Sequence, residues 1–216
     1  MINQIDIEIE KIRNKELSVF ARTINDAMKS WETYKVLQKS SMFFQSVFDR
    51  SSALHAYNNI QYSLIINTWM SLFKLWDKRT RGKENVVFSR IYTLIKPNTF
   101  LLHVSQIYKN DNIIEKYRIN IDFFIRKYDK YTNGERKNLY KEFEGIRNEF
   151  IAHAGPDGLL TYEHTLNDLD EFYQDSIKMI ESVYIIFNNF ISFNDICHSY
   201  QKQAEKLVDI LRQSTT

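Results

Sequence analysis

An internal disulfide is excluded at the outset, because the 216-residue chain holds one cysteine, Cys197. Glycine and proline are nearly as scarce, at 5 and 2 residues, which leaves too little turn chemistry for a many-stranded sheet. No apolar leader opens the sequence, so a cytoplasmic location is expected. A membrane span is missing too. The longest stretch free of Asp, Glu, Lys and Arg, Ser51 to Phe73, is interrupted by Ser52, His55, Asn58, Asn59, Gln61 and Asn67. That is too polar for hydrocarbon, so the stretch reads as a buried helix of a soluble protein with no membrane partner. Nor is there a large excess of either charge: the net of +2 neither favours nor excludes a polyanionic partner. What the chain does have is 44% hydrophobic residues, at a length where about 70% of the unfolded surface can be buried. It can therefore build a full core without staples, and the expected fold is all-α.

Apolar spacing places the helices. Ile2, Ile5, Ile9 and Ile12 mark a short amphipathic opening, and Phe20, Ile24, Ala27, Trp31 and Tyr34 form one face of a longer helix. Ile65, Trp69, Leu72 and Trp76 repeat the pattern in the best candidate for the centre of the core. Residues 80–85 (TRGKEN) read as a loop, and Pro97 as a second break after SRIYTLI. A helix is expected at about 111–130. TNGE (132–135) reads as a capping box, Thr132 with Glu135, opening a helix over 132–154 that Gly155-Pro156 stops. Tyr173, Ile177, Ile180, Tyr184, Phe187 and Ile191 form a coiled-coil-like seam suited to a bundle or a dimer interface. A terminal helix over 195–212 carries Ile196, Leu207 and Leu211. With no internal repeat, the expected architecture is an antiparallel bundle of long helices with additional terminal helices.

Charge is unevenly spread. KLWDKRTRGK (74–83) sets Lys74, Lys78, Arg79, Arg81 and Lys83 against Asp77 alone. Residues 163–195 hold seven acids and one base, Lys178. Both runs are compatible with solvated faces, and the basic one also suits a phosphate backbone.

The segment RNEFIAH (147–153) raises the functional question. On a helical wheel of about 100° per residue, Leu139, Phe143, Ile146 and Phe150 make one apolar stripe. Arg147 falls on one flank and His153 on the other, about 120° apart. The two meet one ligand only if the helix end distorts, or if a symmetric partner presents a second pair alongside. The purely structural alternative has His153 capping the helix's last carbonyls and Arg147 paired with Glu144 or with the acidic segment.

RNEFIAH resembles the motif of the HEPN superfamily (higher eukaryotes and prokaryotes nucleotide-binding), in which Arg and a polar neighbour precede His at the end of a helix. Here five residues intervene and Asn148 is the polar neighbour. The RN…AH form, the length and the helical build are similar to the abortive-infection, AbiU-type branch. So is the stretch LFKLWDKRTRGKENVVFSRIYTLI (72–95), which matches that branch's helix, Asp-containing turn and following helix, with Lys74 where an arginine is expected. Gly155 stands two residues after His153, where HEPN toxins modified by a nucleotidyltransferase antitoxin carry Tyr; the resemblance does not extend to that regulation.

The resemblance implies a single HEPN-like helical domain over 1–216, with metal-independent endoribonuclease activity in a homodimer whose motifs face each other. Such a protein acts as a toxin or a phage-defence effector, with RNA as substrate, no cofactor and a possible cognate antitoxin. Arg147, His153 and Asn148 are the catalytic candidates, and Lys74, Lys78, Arg79, Arg81 and Lys83 the RNA-binding ones. The chemistry suits the residue types. His titrates near neutrality and can take the ribose 2′-OH proton, and a permanently charged Arg can grip phosphorane oxygens bidentately. Asn148 can orient the phosphate or the His, though on a straight helix it points away from the stripe, and Glu149, four residues before His153, can orient the imidazole.

Other groupings are weaker. Glu149, His153, Asp157 and His164 share no certain face, so no metal site is expected. Cys197 and His198 point to different sides of a helix, which argues against a nucleophilic dyad. His55 and His103 in apolar segments read as core histidines, and Trp31, Trp69 and Trp76 as core rather than a stacking platform. No glycine-rich phosphate loop is present. The competing reading is a non-catalytic helical interaction module, or an antitoxin or partner subunit, in which Arg147 and His153 are structural.

Overall fold

Periodic apolar residues with few breakers give helices throughout the computed structural model, which describes residues 4–48, 52–77, 86–152, 164–187 and 191–214. They are α1 (Gln4–Lys11), a π-helical turn (Ile12–Glu16), α2 (Leu17–Lys39), α3 (Ser41–Phe48), α4 (Ser52–Trp76) and α5 (Phe88–Ile95). After these come α6 (Asn98–Ile107), α7 (Asp111–Thr132), α8 (Lys137–Ala152), α9 (Leu166–Ile186) and α10 (Asn194–Ser214). No strand occurs among the described residues, so the fold is all-α. No described helix is long and apolar enough to cross a membrane. The residues cluster into two compact units: 1–23 with 72–191, and 24–71 with 192–216.

In the first unit the opening helices are one continuous run. Ile12 and Phe20 lie eight residues apart, one more than two α-helical turns accommodate; the π turn absorbs the extra residue and keeps Ile9, Ile12, Leu17 and Phe20 buried. Its last residue, Glu16, is buried and pairs with Arg90 of α5, which also holds Glu8. Burial pushes the Glu16 carboxyl above its ordinary value, against the pull of Arg90.

α7 and α9 pack against each other, with Tyr131 of α7 edge-on to Phe172 of α9 at 4.9 Å and the Tyr131 hydroxyl donating to Asp175 (3.0 Å). Polar pairs flank them: Lys127 and Lys130 hold Asp175 (2.7 and 2.9 Å), Lys130 also holds Glu171, and Arg136 reaches Glu171 and Asp168. Partner numbers fall along α9 as they rise along α7, so the two helices run antiparallel. Much of the acidic segment is therefore not a solvated face. Asp168, Glu171 and Asp175 meet the bases of α7 and Arg136 of the turn after it. Seam residues also find partners within the chain: the Tyr184 hydroxyl donates to the Leu17 carbonyl (2.7 Å) and Phe187 stands edge-on to Phe100 at 6.0 Å. Ile191 of that seam lies beyond the helix end.

In the second unit Val36, Leu37, Phe44, Tyr57, Ala204 and Val208 form a core, with Phe43, Phe48, Leu54, Leu64 and Leu211 packed against it. The Tyr57 hydroxyl donates to the Leu37 carbonyl (2.7 Å), and the Gln201 amide to buried Glu32. Trp31 and Trp69 are core, as expected.

Several expectations need correction. Thr132 does not cap α8. It is the last residue of α7, and its hydroxyl donates back to the Tyr128 carbonyl. The TNGE stretch closes α7 instead, with the Gly134 N–H on the Asp129 carbonyl (2.7 Å). A Cβ on Gly134 would meet backbone atoms of Asp129 and Lys130 at 3.0–3.1 Å, which is why glycine stands there. The capping box is at α9, where Thr165 and Asp168 satisfy each other's backbone N–H. On α10 Leu207 faces solvent, because Ala204 and Val208 hold the inner face. Helix α4, free of charge up to Phe73, is not buried along its length: Ile60 and Tyr62 are more than half exposed, and burial concentrates in Thr68–Trp76. His55 is exposed, since it falls on that outward part of α4. His103 is buried, with Nε2 2.8 Å from Asp6 Oδ1. The TRGKEN loop lies outside the described residues.

Burial opposes ionisation of Asp175, but Lys127 and Lys130 outweigh it and hold the carboxyl below its ordinary value. A carboxyl depressed in the folded state stabilises fully above the unfolded value of about 3.9 and loses that contribution as pH falls through the folded one. Asp175→Asn should therefore cost about 2–3 kcal/mol at pH 7, discounted for the partly exposed Lys127, and flatten the acid limb of a Tm-against-pH curve below about pH 4. An unchanged Tm at pH 7 would show that the pairing adds nothing.

Candidate active site

The candidate site is organised by the end of α4. Trp76, 1% exposed, is the ring around which the first unit packs. Phe172 lies at 4.9 Å, Phe88 and Tyr131 at 5.2 Å, and Tyr128 at 5.8 Å in parallel stacking. The indole N–H donates to Ser176 Oγ (2.9 Å), and that hydroxyl donates to the Phe172 carbonyl. The Trp76 carbonyl, left without an intrahelical partner where the helix stops, accepts from the Tyr140 hydroxyl of α8 (3.0 Å). The Asp77 carbonyl accepts from the Ser89 hydroxyl of α5 (3.3 Å). Helices α5, α8 and α9 thus each donate to or accept from this corner.

Arg147 sits one helical face along from Tyr140 and Phe143, both buried. Its side chain is only 17% exposed, and its Nη1 pairs with Asp77. The guanidinium lies over the Phe73 ring, 5.6 Å from the centroid. Nε and Nη2 both donate to Asn148 Oδ1 (3.2 and 2.9 Å). Burial draws the Arg147 guanidinium below its ordinary value, but an arginine stays charged at any physiological pH. The site therefore holds a partly desolvated fixed cation whose Nε/Nη2 edge, the geometry that grips carboxylate or phosphate, is turned toward an exposed side chain.

Of the sequence candidates, Arg147, Asn148 and Lys74 are described, Lys74 exposed on the last turn of α4. His153, Lys78, Arg79, Arg81 and Lys83 lie outside the described residues, as do Asp157 and the side chains of Glu149 and Phe150. The partner of Arg147 is neither Glu144 nor the acidic segment but Asp77, the sole acid of the 74–83 run. Cys197 and His198 form no dyad: Cys197 Sγ lies 3.5 Å from Met28 Sδ, and His198 is exposed with Nδ1 3.1 Å from the Asn194 carbonyl.

One further histidine stands on this side of α8. His164 Nδ1 and its backbone N–H both meet Glu142 Oε1 (2.6 and 3.1 Å), and the ring stands edge-on to Phe143 at 5.0 Å. It ties the entry of α9 to α8. The sequence brought His164 up only in the metal grouping with Glu149, His153 and Asp157; its pairing with Glu142, 22 positions away, has no local signal.

The family model of AbiU2, one of the HEPN families, matches residues 9–207. The chain belongs to the AbiU2 family of HEPN domains. No curated protein and no solved structure matches it. The AbiU2 match covers α4, the Asp77 turn, α5 and the RNEFIAH segment together, the same stretches that carry the resemblance in the sequence.

Two residues that build the site escaped the sequence reading, Tyr140 and Ser176. The apolar stripe of the sequence runs through Leu139, which is only half-buried; the packed face runs Tyr140, Phe143, Arg147. Burial, and then the charge of Glu144, push the Tyr140 hydroxyl well above its ordinary range, so it remains a donor. Tyr140→Phe should cost about 1 kcal/mol in urea denaturation, the usual loss when a buried acceptor keeps its place without its donor. No loss would mean that the Trp76 carbonyl does not depend on α8.

Proposed function

We propose that this AbiU2 chain is a metal-independent endoribonuclease of HEPN type, acting as a toxin or phage-defence effector. The observation that best supports the reading is the state of Arg147: a fixed cation, mostly withdrawn from water, seated on an aromatic ring, with a bidentate edge directed at a polar neighbour. A surface arginine with only a structural task has little reason to be desolvated in that way.

In the proposed reaction His153 accepts the proton of a ribose 2′-OH. The 2′-oxygen attacks the adjacent phosphorus to form a phosphorane whose added negative charge Arg147 stabilises. The bond from phosphorus to the 5′-oxygen then breaks, that oxygen takes a proton from water, and the proton held by His153 returns to the hydroxide so formed. The products end in 2′,3′-cyclic phosphate and 5′-hydroxyl. Asn148 contacts the scissile phosphate once the arginine edge is occupied, and Lys74, Lys78, Arg79, Arg81 and Lys83 hold the flanking backbone. Two chains form a homodimer around the end of α8, with Phe150 near the centre, so that the flanks of one short stripe are completed by a second copy. A cognate antitoxin would act on this assembly in the cytoplasm.

One observation favours the second reading, an interaction module. Arg147 already has a carboxylate partner, and a satisfied ion pair can be purely structural. Purified protein incubated with RNA in EDTA separates the two. The ribonuclease reading expects cleavage to 2′,3′-cyclic phosphate ends, no cleavage of DNA, and losses on the order of 100-fold or more for His153→Ala and for Arg147→Ala. Asp77 is 42% exposed, so solvent replaces the lost partner and Arg147→Ala should move Tm by no more than a few degrees. Cleavage that survives both substitutions, or stability that collapses along with activity, would favour the interaction module.

A further inference from the structure

Asp77 is built in more firmly than a chance surface partner requires. Its own carbonyl accepts from Ser89, and the preceding carbonyl, of Trp76, accepts from Tyr140. The preceding side chain, Trp76, is locked by five aromatic neighbours and by Ser176. The backbone that carries the carboxylate is thus pinned from α5, α8 and α9. The donor to that carboxylate, Arg147 Nη1, extends from α8, the helix that also supplies Tyr140. Arginine and aspartate therefore share one frame.

The two polar partners of the guanidinium differ in kind. Asp77 takes Nη1 at one end of the fork, while the exposed Asn148 bridges Nε and Nη2 at the other through a single neutral oxygen. A phosphate carries charge and two oxygens in fork geometry, and so outcompetes one amide oxygen for that edge. Displacing Asn148 needs only a side-chain rotation at an exposed position. Displacing Asp77 would need an ion pair to break.

We propose that Asp77 is a positioning residue for Arg147, holding Nη1 so that the Nε/Nη2 edge now bridged by Asn148 is presented in a fixed orientation to a phosphate oxygen pair of the RNA. This rests on the ribonuclease reading and adds to it a residue that never touches the substrate. It also opposes the intuitive alternative in which Asp77 is a latch that neutralises Arg147 until a trigger removes it.

The test measures single- and multiple-turnover cleavage of one RNA by the full chain, comparing wild type, Asp77→Asn, Asp77→Glu, Arg147→Ala and the Asp77→Asn/Arg147→Ala double variant. Loss of positioning should lower kcat by tenfold to a hundredfold, on the scale of a misplaced catalytic group. KM should stay unchanged or fall, because the arginine's charge remains and is less neutralised. Asp77→Glu should recover part of the rate. In the Arg147→Ala background Asp77→Asn should cost nothing further, since nothing is left to position. A kcat equal to or above wild type for Asp77→Asn overturns the proposal in favour of a latch or a bystander, and so does an additive loss in the double variant, which marks a structural role. A wild-type chain that does not cleave RNA overturns the ribonuclease reading and this role together, and is told apart by the first lane of the assay.

Discussion

The hydrogen bonds that finish helix α4 hold the functional end of this protein together. A helix that stops in the interior exposes carbonyls that must find donors. Here they find Tyr140 and Ser89, while Trp76, one residue before the stop, fills the space between α5, α7, α8 and α9. Once that corner is fixed, Asp77 has one place to be, and so does the arginine that pairs with it. Packing thus sets the geometry of the pair: Arg147 of α8 meets the carboxylate that directly follows α4.

The acidic and basic runs show how charge is used twice in one chain. Lys127 and Lys130 of α7, and Arg136 of the turn after it, meet Asp175, Glu171 and Asp168 of the antiparallel α9 as partners buried to different depths. In the 74–83 run the only acid is spent on Arg147, and the exposed Lys74 keeps the basic character of that end of α4. An anion approaching Arg147 therefore meets a guanidinium whose Nη1 is already engaged by Asp77.

Much of this was legible beforehand. Trp69, Leu72 and Trp76 at steps of three and four placed the buried end of α4, because that signal is local and periodic, whereas RNEFIAH pointed to Arg147 by resemblance alone. The cap of α8 was misplaced because TNGE satisfies the capping pattern in letters, whereas the geometry uses Thr132 and Gly134 to close the preceding helix. The exposure of Leu207, Ile60 and Tyr62 was hidden for a different reason: α4 and α10 carry more apolar residues than one face needs, and only packing decides which of them turn inward. The Asp77–Arg147 pair spans 70 positions of sequence, beyond the reach of any wheel or spacing argument. Its one trace was an isolated acid among five bases.

The central claim is that Arg147 meets a phosphate of the RNA through its Nε/Nη2 edge. The most direct measurement is the 15N–1H signal of the Arg147 Nε–H, assigned through Arg147→Lys, during titration with an RNA made uncleavable by 2′-O-methylation. The account predicts a single sharp Arg147 signal in the free protein that shifts saturably with the RNA. An Arg147 signal that stays in place while signals elsewhere in the protein shift would contradict it.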